Sequence, residues 1–231
     1  MLSRLGPRRR APHRRNTLRV RYSFGVTRAQ DQLASRFRRA LLYVVRELGE
    51  VNVTKLQKIL YMADLEHFHA TGTTLTGARW VRYTHGLMAK ALVPSRDLME
   101  GHELDVRTEP AGDYEAVVYR PGPKPRFSPG LAPEERETLD RVMKLTRSMS
   151  TKEAISLAYN TGPMKLILAF EKARGGAPIL DAEITFDIDP TALAEVVAGE
   201  SQASPEKRVA FKRRELARIE DLQKGALERA Q

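Results

Sequence analysis

Val53-Thr54-Lys55-Leu56-Gln57-Lys58-Ile59-Leu60-Tyr61-Met62-Ala63-Asp64-Leu65-Glu66-His67-Phe68 is the stretch that decides how this chain folds. Its apolar residues recur at helical spacing. Leu56, Ile59, Leu60 and Ala63 form one face; Tyr61, Leu65 and Phe68 sit on the opposite side, with Met62 between. A helix that is apolar nearly all round is central and buried. The pattern therefore predicts a core helix from Lys55 to about His69. Thr54 is its expected N-cap, a hydroxyl that accepts from an otherwise unpaired backbone N–H. Thr71-Gly72-Thr73 is its expected stop. Leu60 and Ala63 are expected in the core, and Asp64 is expected to bond His67 or an arginine such as Arg82.

On the N-terminal side, Phe37, Leu41, Val44, Val45 and Leu48 also recur at helical spacing. They predict a helix from Ala34 to Leu48, ended by Gly49. On the other side, Arg79-Trp80-Val81-Arg82-Tyr83 alternates and reads as a strand. Leu87 to Met99 reads as a helix interrupted by Pro94. Leu104–Arg107 and Ala116–Tyr119 read as an antiparallel pair around the turn Pro110–Asp113. Pro121 to Gly130 is a proline-rich loop.

Helices return after that loop. Pro133 suits a first turn, and Glu134 and Glu135 suit the positive helix end. Leu139, Val142, Met143 and Thr146 give this helix its buried stripe. Ser150-Thr151-Lys152-Glu153 has the spacing of a capping box. Gly162-Pro163 breaks the chain before another short helix, Met164 to Ala173. Asp189 to Val197 reads as a further helix, 199–204 as a polar linker, and 205–230 as a charged helix.

Charge is unevenly placed. The net charge is +10, and residues 1–22 hold eight arginines and no acid, which leaves +2 for the rest. The folded part is thus nearly balanced. The basic tail, residues 1–25, is expected to be disordered and solvated. Its functional reading is nonspecific, salt-sensitive contact with nucleic acid. Cysteine is absent, which excludes disulfides, thiolate metal sites and thiol nucleophiles. No apolar run is long enough to span a membrane, and a cytoplasmic location is expected.

Reactive chemistry is sparse. Asp64 and His67 are three apart on the central helix and can touch; Glu66 and His69 repeat the spacing on another side. His85 and His102 are loop candidates that would have to join them for a metal site. No ligand spacing is completed, so no metal or cofactor is expected, and Asp64 is read as fixing the His67 ring. There is no phosphate-binding glycine loop and no nucleophile elbow. Trp80 and Tyr83 beside Arg79 and Arg82 have the makings of a base-stacking surface, but aromatic and β-branched residues more often pack a small sheet.

Lys55-Leu56-Gln57-Lys58-Ile59-Leu60-Tyr61-Met62-Ala63-Asp64 resembles the K-L-x-K-L-L-Y-x-A-D helix of the Panacea domain, found in SocA-like antitoxins. Thr71-Gly72-Thr73-Thr74-Leu75-Thr76-Gly77 resembles the turn that follows it in that family, and Trp80-Val81-Arg82-Tyr83 the aromatic strand. The next step departs from the family pattern Y-G-P: Tyr83 is separated from Gly86, and Leu87 stands where proline is usual. Leu131–Asp140, Ser150–Ala158 and Gly176–Leu180 are also similar to later parts of the family, so that the resemblance covers Phe37 to Leu180.

The resemblance implies a non-enzymatic antitoxin that neutralises a cognate protein toxin by direct binding. One branch of the family acts as an adaptor to a ClpXP-type protease, and phage and prophage copies are common. The expected fold is mainly α, in the α+β class. It is a helical domain over 34–198 with a small antiparallel β element, a basic tail, and a linker with a charged helix over 199–231. The candidate partner-binding residues are Lys55, Lys58, Tyr61, Asp64, His67, Trp80, Tyr83 and Gly86, with Lys58 and Tyr61 placed on an exposed fringe of the central helix. The alternative is a nucleic-acid-binding transcriptional regulator, in which the first two helices act as a helix-turn-helix. An apolar second helix speaks against it, because a recognition helix needs a polar exposed face.

Overall fold

The computed structural model describes residues 28–84, 86–112, 114–123 and 130–188. The basic tail 1–25, the expected helices at 189–197 and 205–230, the linker between them, and His85 lie outside these residues. In chain order the elements are α1 (Arg28–Leu48), β1 (Val51–Asn52), α2 (Val53–Thr71), β2 (Trp80–Tyr83), β3 (Gly86–Ala89), α3 (Leu92–Met99), β4 (Leu104–Ala111), β5 (Tyr114–Pro121), α4 (Pro133–Thr146), α5 (Thr151–Tyr159) and α6 (Gly162–Ala173). The class is mainly helical α+β, as the sequence predicts, with two small antiparallel sheets.

Helix α2 is the central element. Leu56, Ile59, Leu60, Tyr61, Ala63 and Leu65 are all buried, on both of the faces that the pattern distinguishes. Phe37, Leu41, Val44 and Val45 of α1 and Leu139, Val142 and Met143 of α4 complete the core around it. The N-cap differs from the expectation. Asn52, not Thr54, is the cap, and its side-chain oxygen accepts the Thr54 N–H at 2.8 Å. The reason lies one residue upstream: Val51 and Asn52 pair with Tyr119 and Val118. That short strand holds Asn52 extended, the backbone form a cap requires. The other end closes as expected, with Gly72 left-handed at φ 74° and its N–H on the Phe68 carbonyl.

Three further boundaries shift. Helix α1 begins at Arg28, before Ala34. Gly162 and Pro163 open α6 rather than separating it from α5, since proline fits the first turn of a helix. The third shift is larger. Leu87 to Ala89 is a strand, with Trp80 opposite Ala89, Val81 opposite Met88 and Arg82 opposite Leu87. Leucine, methionine and alanine favour helix, but Gly86 at φ 125° turns the chain back on β2 and pairing overrides propensity. The helix starts only at Leu92, and Pro94 sits in its first turn, where a missing N–H costs nothing.

The hairpin of β4 and β5 follows the sequence reading and is longer, running from Leu104 opposite Pro121 to Ala111 opposite Tyr114. With β1 it forms the three-stranded sheet, in the order β1-β5-β4. The capping box at Ser150 is present: its hydroxyl accepts the Glu153 N–H, and the Glu153 carboxylate accepts the Ser150 N–H at 2.7 Å. After α6 the chain returns along β2. The Arg82 N–H donates to the Ala182 carbonyl and the Ile184 N–H to the Trp80 carbonyl. This lays Ile184 and Phe186 into the core, with the Phe186 ring 5.5 Å from Tyr61 and 5.9 Å from Phe68.

Candidate functional site

Four polar side chains of α2, those of Lys55, Lys58, Tyr61 and Asp64, point in different directions, and each binds a different part of the fold. Lys55 reaches the C-terminal end of α4 and donates to the carbonyls of Arg147 at 3.2 Å and Met149 at 2.6 Å. A cation there satisfies carbonyls that the helix leaves unpaired and sits at its negative end. Lys58 donates to the Leu87 carbonyl of β3 at 3.2 Å. The Tyr61 hydroxyl meets the Thr161 hydroxyl, 2.9 Å away at the entry to α6. Asp64 binds the turn and strand that follow α2.

Asp64 is fully buried and accepts three hydrogen bonds. The Thr76 N–H donates to Oδ1 at 2.6 Å, the Thr76 hydroxyl to Oδ2 at 2.5 Å, and the Trp80 indole N–H to Oδ2 at 2.7 Å. Burial nonetheless dominates and pushes its pKa up to about 6 against those donors. The expected bond from Asp64 to His67 or Arg82 is not made: both carboxylate oxygens are taken by Thr76 and Trp80. His67 is buried beside Arg36, Glu134 and Glu135, and desolvation lowers its affinity for a proton.

Arg82 has a different partner. Its guanidinium forms a two-pronged buried pair with Glu171 of α6, at 2.6 and 3.2 Å. Glu171 also accepts the Ile179 N–H at 3.1 Å, which fastens the returning chain to the same pair.

Lys58 lies next to this pair and is only 2% exposed. Desolvation first, and the Arg82 charge second, push its pKa down to about 8. The structure thus corrects the exposed-fringe expectation: Lys58 and Tyr61 both face the interior. Of the candidate partner-binding residues, Lys58, Tyr61, Asp64, His67, Trp80 and Gly86 are buried, Lys55 is half-buried, and Tyr83 is exposed at 45%. Gly86 is held against Tyr159. A Cβ built there would meet the Tyr159 hydroxyl at 2.7 Å and Lys58 Nζ at 3.5 Å, and the backbone at φ 125° favours glycine.

Sequence reasoning missed Thr76, Tyr159, Thr161 and Glu171. Thr76 lies in the quoted turn and was legible only as part of a motif. Glu171 stands 89 residues from Arg82, and no local pattern links them. Among the described residues no group of three or more histidines and acids is placed to hold a metal ion, and no helix is long and apolar enough to cross a membrane.

The residues that organise this core are largely those of the helix motif and its turn. Residues 56–163 match the family model for antitoxin SocA-like, Panacea domain. No curated protein and no solved structure matches the chain. The motif helix, the turn and the aromatic strand are engaged in one buried network, and the span 56–163 that holds them is similar to the Panacea domain of SocA-like antitoxins.

Proposed function

We propose that this protein is an antitoxin that neutralises a cognate protein toxin by direct binding, and that it is not an enzyme. The observation that carries the proposal is the use made of the polar groups on α2. Lys55, Lys58, Tyr61 and Asp64 are each bonded to a neighbouring element, which suits a rigid scaffold whose outer surface does the work. A catalytic helix would instead aim such groups at a common point that a substrate reaches. The helix-turn-helix alternative loses support for a related reason: α2 is enclosed on its main faces and has none to lay in a groove.

The adaptor role toward a ClpXP-type protease is a finer form of the same proposal. It adds that toxin levels fall when antitoxin and protease are both present. The test of the main reading is rescue. The gene encoded beside this one is expressed alone and with this chain. Lethality alone and growth in combination is the expected result. A harmless neighbour, or one that stays lethal in combination, overturns the proposal.

A further inference from the structure

Strand β4 lies at the edge of its sheet, with β5 on one side only. Bonded pairs alternate along an antiparallel ladder. The Gly122 N–H sets their phase here, donating to the Glu103 carbonyl at 2.8 Å. Followed along the register of the hairpin, that phase turns the backbone groups of Asp105, Arg107, Glu109 and Ala111 toward β5. Leu104, Val106, Thr108 and Pro110 turn theirs outward. The outer side of Leu104 is already in use: its carbonyl accepts the Gly101 N–H, and Glu100 lies alongside it. From Val106 to Pro110, no group among the described residues takes the outward N–H and C=O groups. The further contacts of the described residues belong to Arg46, Glu103 and Lys172, outside this window. Thr108 and Pro110 are exposed and Val106 is half-buried, so the row is open to another chain.

The side chains decide which strand fits. Asp105, Arg107 and Glu109 alternate onto one face, as a row of acid, base and acid. Charges on an edge strand ordinarily keep other strands away, and like charges directly opposite each other are destabilising. Against an antiparallel copy of itself, this row repels in one register and attracts in another. Centred on Arg107, the pairing sets Arg107 against itself and Asp105 against Glu109. Centred on Val106, it needs the outer side of Leu104, which is occupied. Centred on Thr108, the midpoint of the free window, it sets each Arg107 against Glu109 of the other copy. Those are non-hydrogen-bonded positions, where facing side chains lie closest. The two Thr108 residues then exchange backbone hydrogen bonds, and each Val106 N–H donates to a Pro110 carbonyl, which asks no N–H of the proline.

We propose that this chain forms a two-fold dimer in which β4 pairs with β4 of a second copy, antiparallel and centred on Thr108. The window is short, so the dimer is weak and concentration-dependent. The pairing does not rest on the antitoxin reading.

The test follows the full chain by sedimentation velocity over a wide range of concentration. A monomer–dimer equilibrium is expected for the wild type, with amide exchange at Thr108 slowing as the dimer fills. Arg107→Glu sets acid against acid at both ends of the pairing, and Glu109→Arg sets base against base. Each variant alone weakens the dimer by about tenfold or more, since two attractions become two repulsions. Arg107 and Glu109 are at the surface, and Arg120 keeps its bond to Glu50 when Glu109 is replaced; circular dichroism verifies that both variants are folded. An equimolar mixture of the two variants brings opposite charges together again, and it recovers the dimer that neither forms alone. A wild type that stays monomeric at the highest concentration overturns the proposal. So does a dimer that both variants leave unchanged, or a mixture no more associated than its components. Slowed exchange at Thr108 only when the neutralised toxin is added to a monomeric chain overturns it too, and assigns the edge to the toxin.

Discussion

Replacing Asp64 with asparagine gives a stability difference whose size depends on pH, and the structure fixes the direction. In the wild type, burial raises the Asp64 pKa from 3.8 to about 6. An acid with a raised folded pKa binds more protons folded than unfolded across that window. Its contribution to stability is full below the unfolded pKa and is lost as pH rises through the folded one. Two pKa units correspond to about 3 kcal/mol. Asparagine has no such titration. It has a different defect: its amide nitrogen replaces one oxygen and faces either the Thr76 N–H or the Trp80 indole N–H, so one buried donor loses its acceptor at a cost of about 1–3 kcal/mol. Near pH 4, where wild-type Asp64 is mostly protonated, its O–H donates to the Thr76 hydroxyl while its oxygens still accept the Thr76 and Trp80 N–H groups, and Asp64→Asn is the less stable protein by that amount. Near pH 7, the roughly 3 kcal/mol lost by the wild type offsets the defect, and the two proteins converge or cross. Urea unfolding at both pH values measures this, with fluorescence from Trp80, the chain's only tryptophan and a buried one. Other titrating groups cancel in the difference between the two proteins. A variant deficit that stays constant within about 0.5 kcal/mol across this range refutes the argument, because it means the three donors outweigh burial.

Other substitutions probe other ties. Lys58→Glu places a carboxylate against the Leu87 carbonyl and near Glu171; an unpaired buried charge of this kind costs about 3–5 kcal/mol, to be seen as a collapse of the thermal transition, whereas Lys58→Met keeps a cooperative melt. Tyr61→Phe removes only the bond to Thr161, about 1 kcal/mol, and lowers Tm by roughly 2–4 °C by calorimetry. A fragment limited to the matched span 56–163 lacks Phe37, Leu41, Val44 and Val45 on one side and Ile184 and Phe186 on the other; poorly dispersed NMR spectra are expected from it, and well-dispersed spectra with a cooperative melt contradict the account of the core.

The sequence made the apolar plan readable and the polar plan only in part. Leu56, Ile59, Leu60 and Ala63 declare their burial by spacing, because a helix repeats its environment every three to four residues. The same holds for Leu139, Val142 and Met143, and the Ser150–Glu153 box depends on four residues alone. What was not readable depends on contacts distant in sequence. The helix-favouring run Leu87–Ala89 is a strand because β2 pairs with it. Asn52 displaces Thr54 as the cap because β5, some sixty-six residues later, holds it extended. Asp64 and His67 have the spacing of a pair, yet Thr76 and Trp80 compete for the carboxylate and win with three donors. Residues such as Lys58 and Tyr61 read as a polar fringe by type; their burial follows from the walls that α5, α6 and β3 place around them.

The two ionised groups that α2 buries both oppose their own charge. Desolvation raises the Asp64 pKa and lowers that of Lys58, so in each case the fold favours the neutral form. Apolar residues of similar volume in such positions are often neutral or stabilising, and a gain in stability is therefore a poor reason for either group. Direction is a better one. Apolar contacts tolerate sliding and rotation, while a carboxylate that takes one backbone N–H, one hydroxyl and one indole fixes the turn and β2 against α2 in a single arrangement. Lys55 does the same for the end of α4, and Tyr61 for the start of α6. Lys58 ties β3 to the same helix through the Leu87 carbonyl, beside the place where the Tyr159 hydroxyl packs on Gly86.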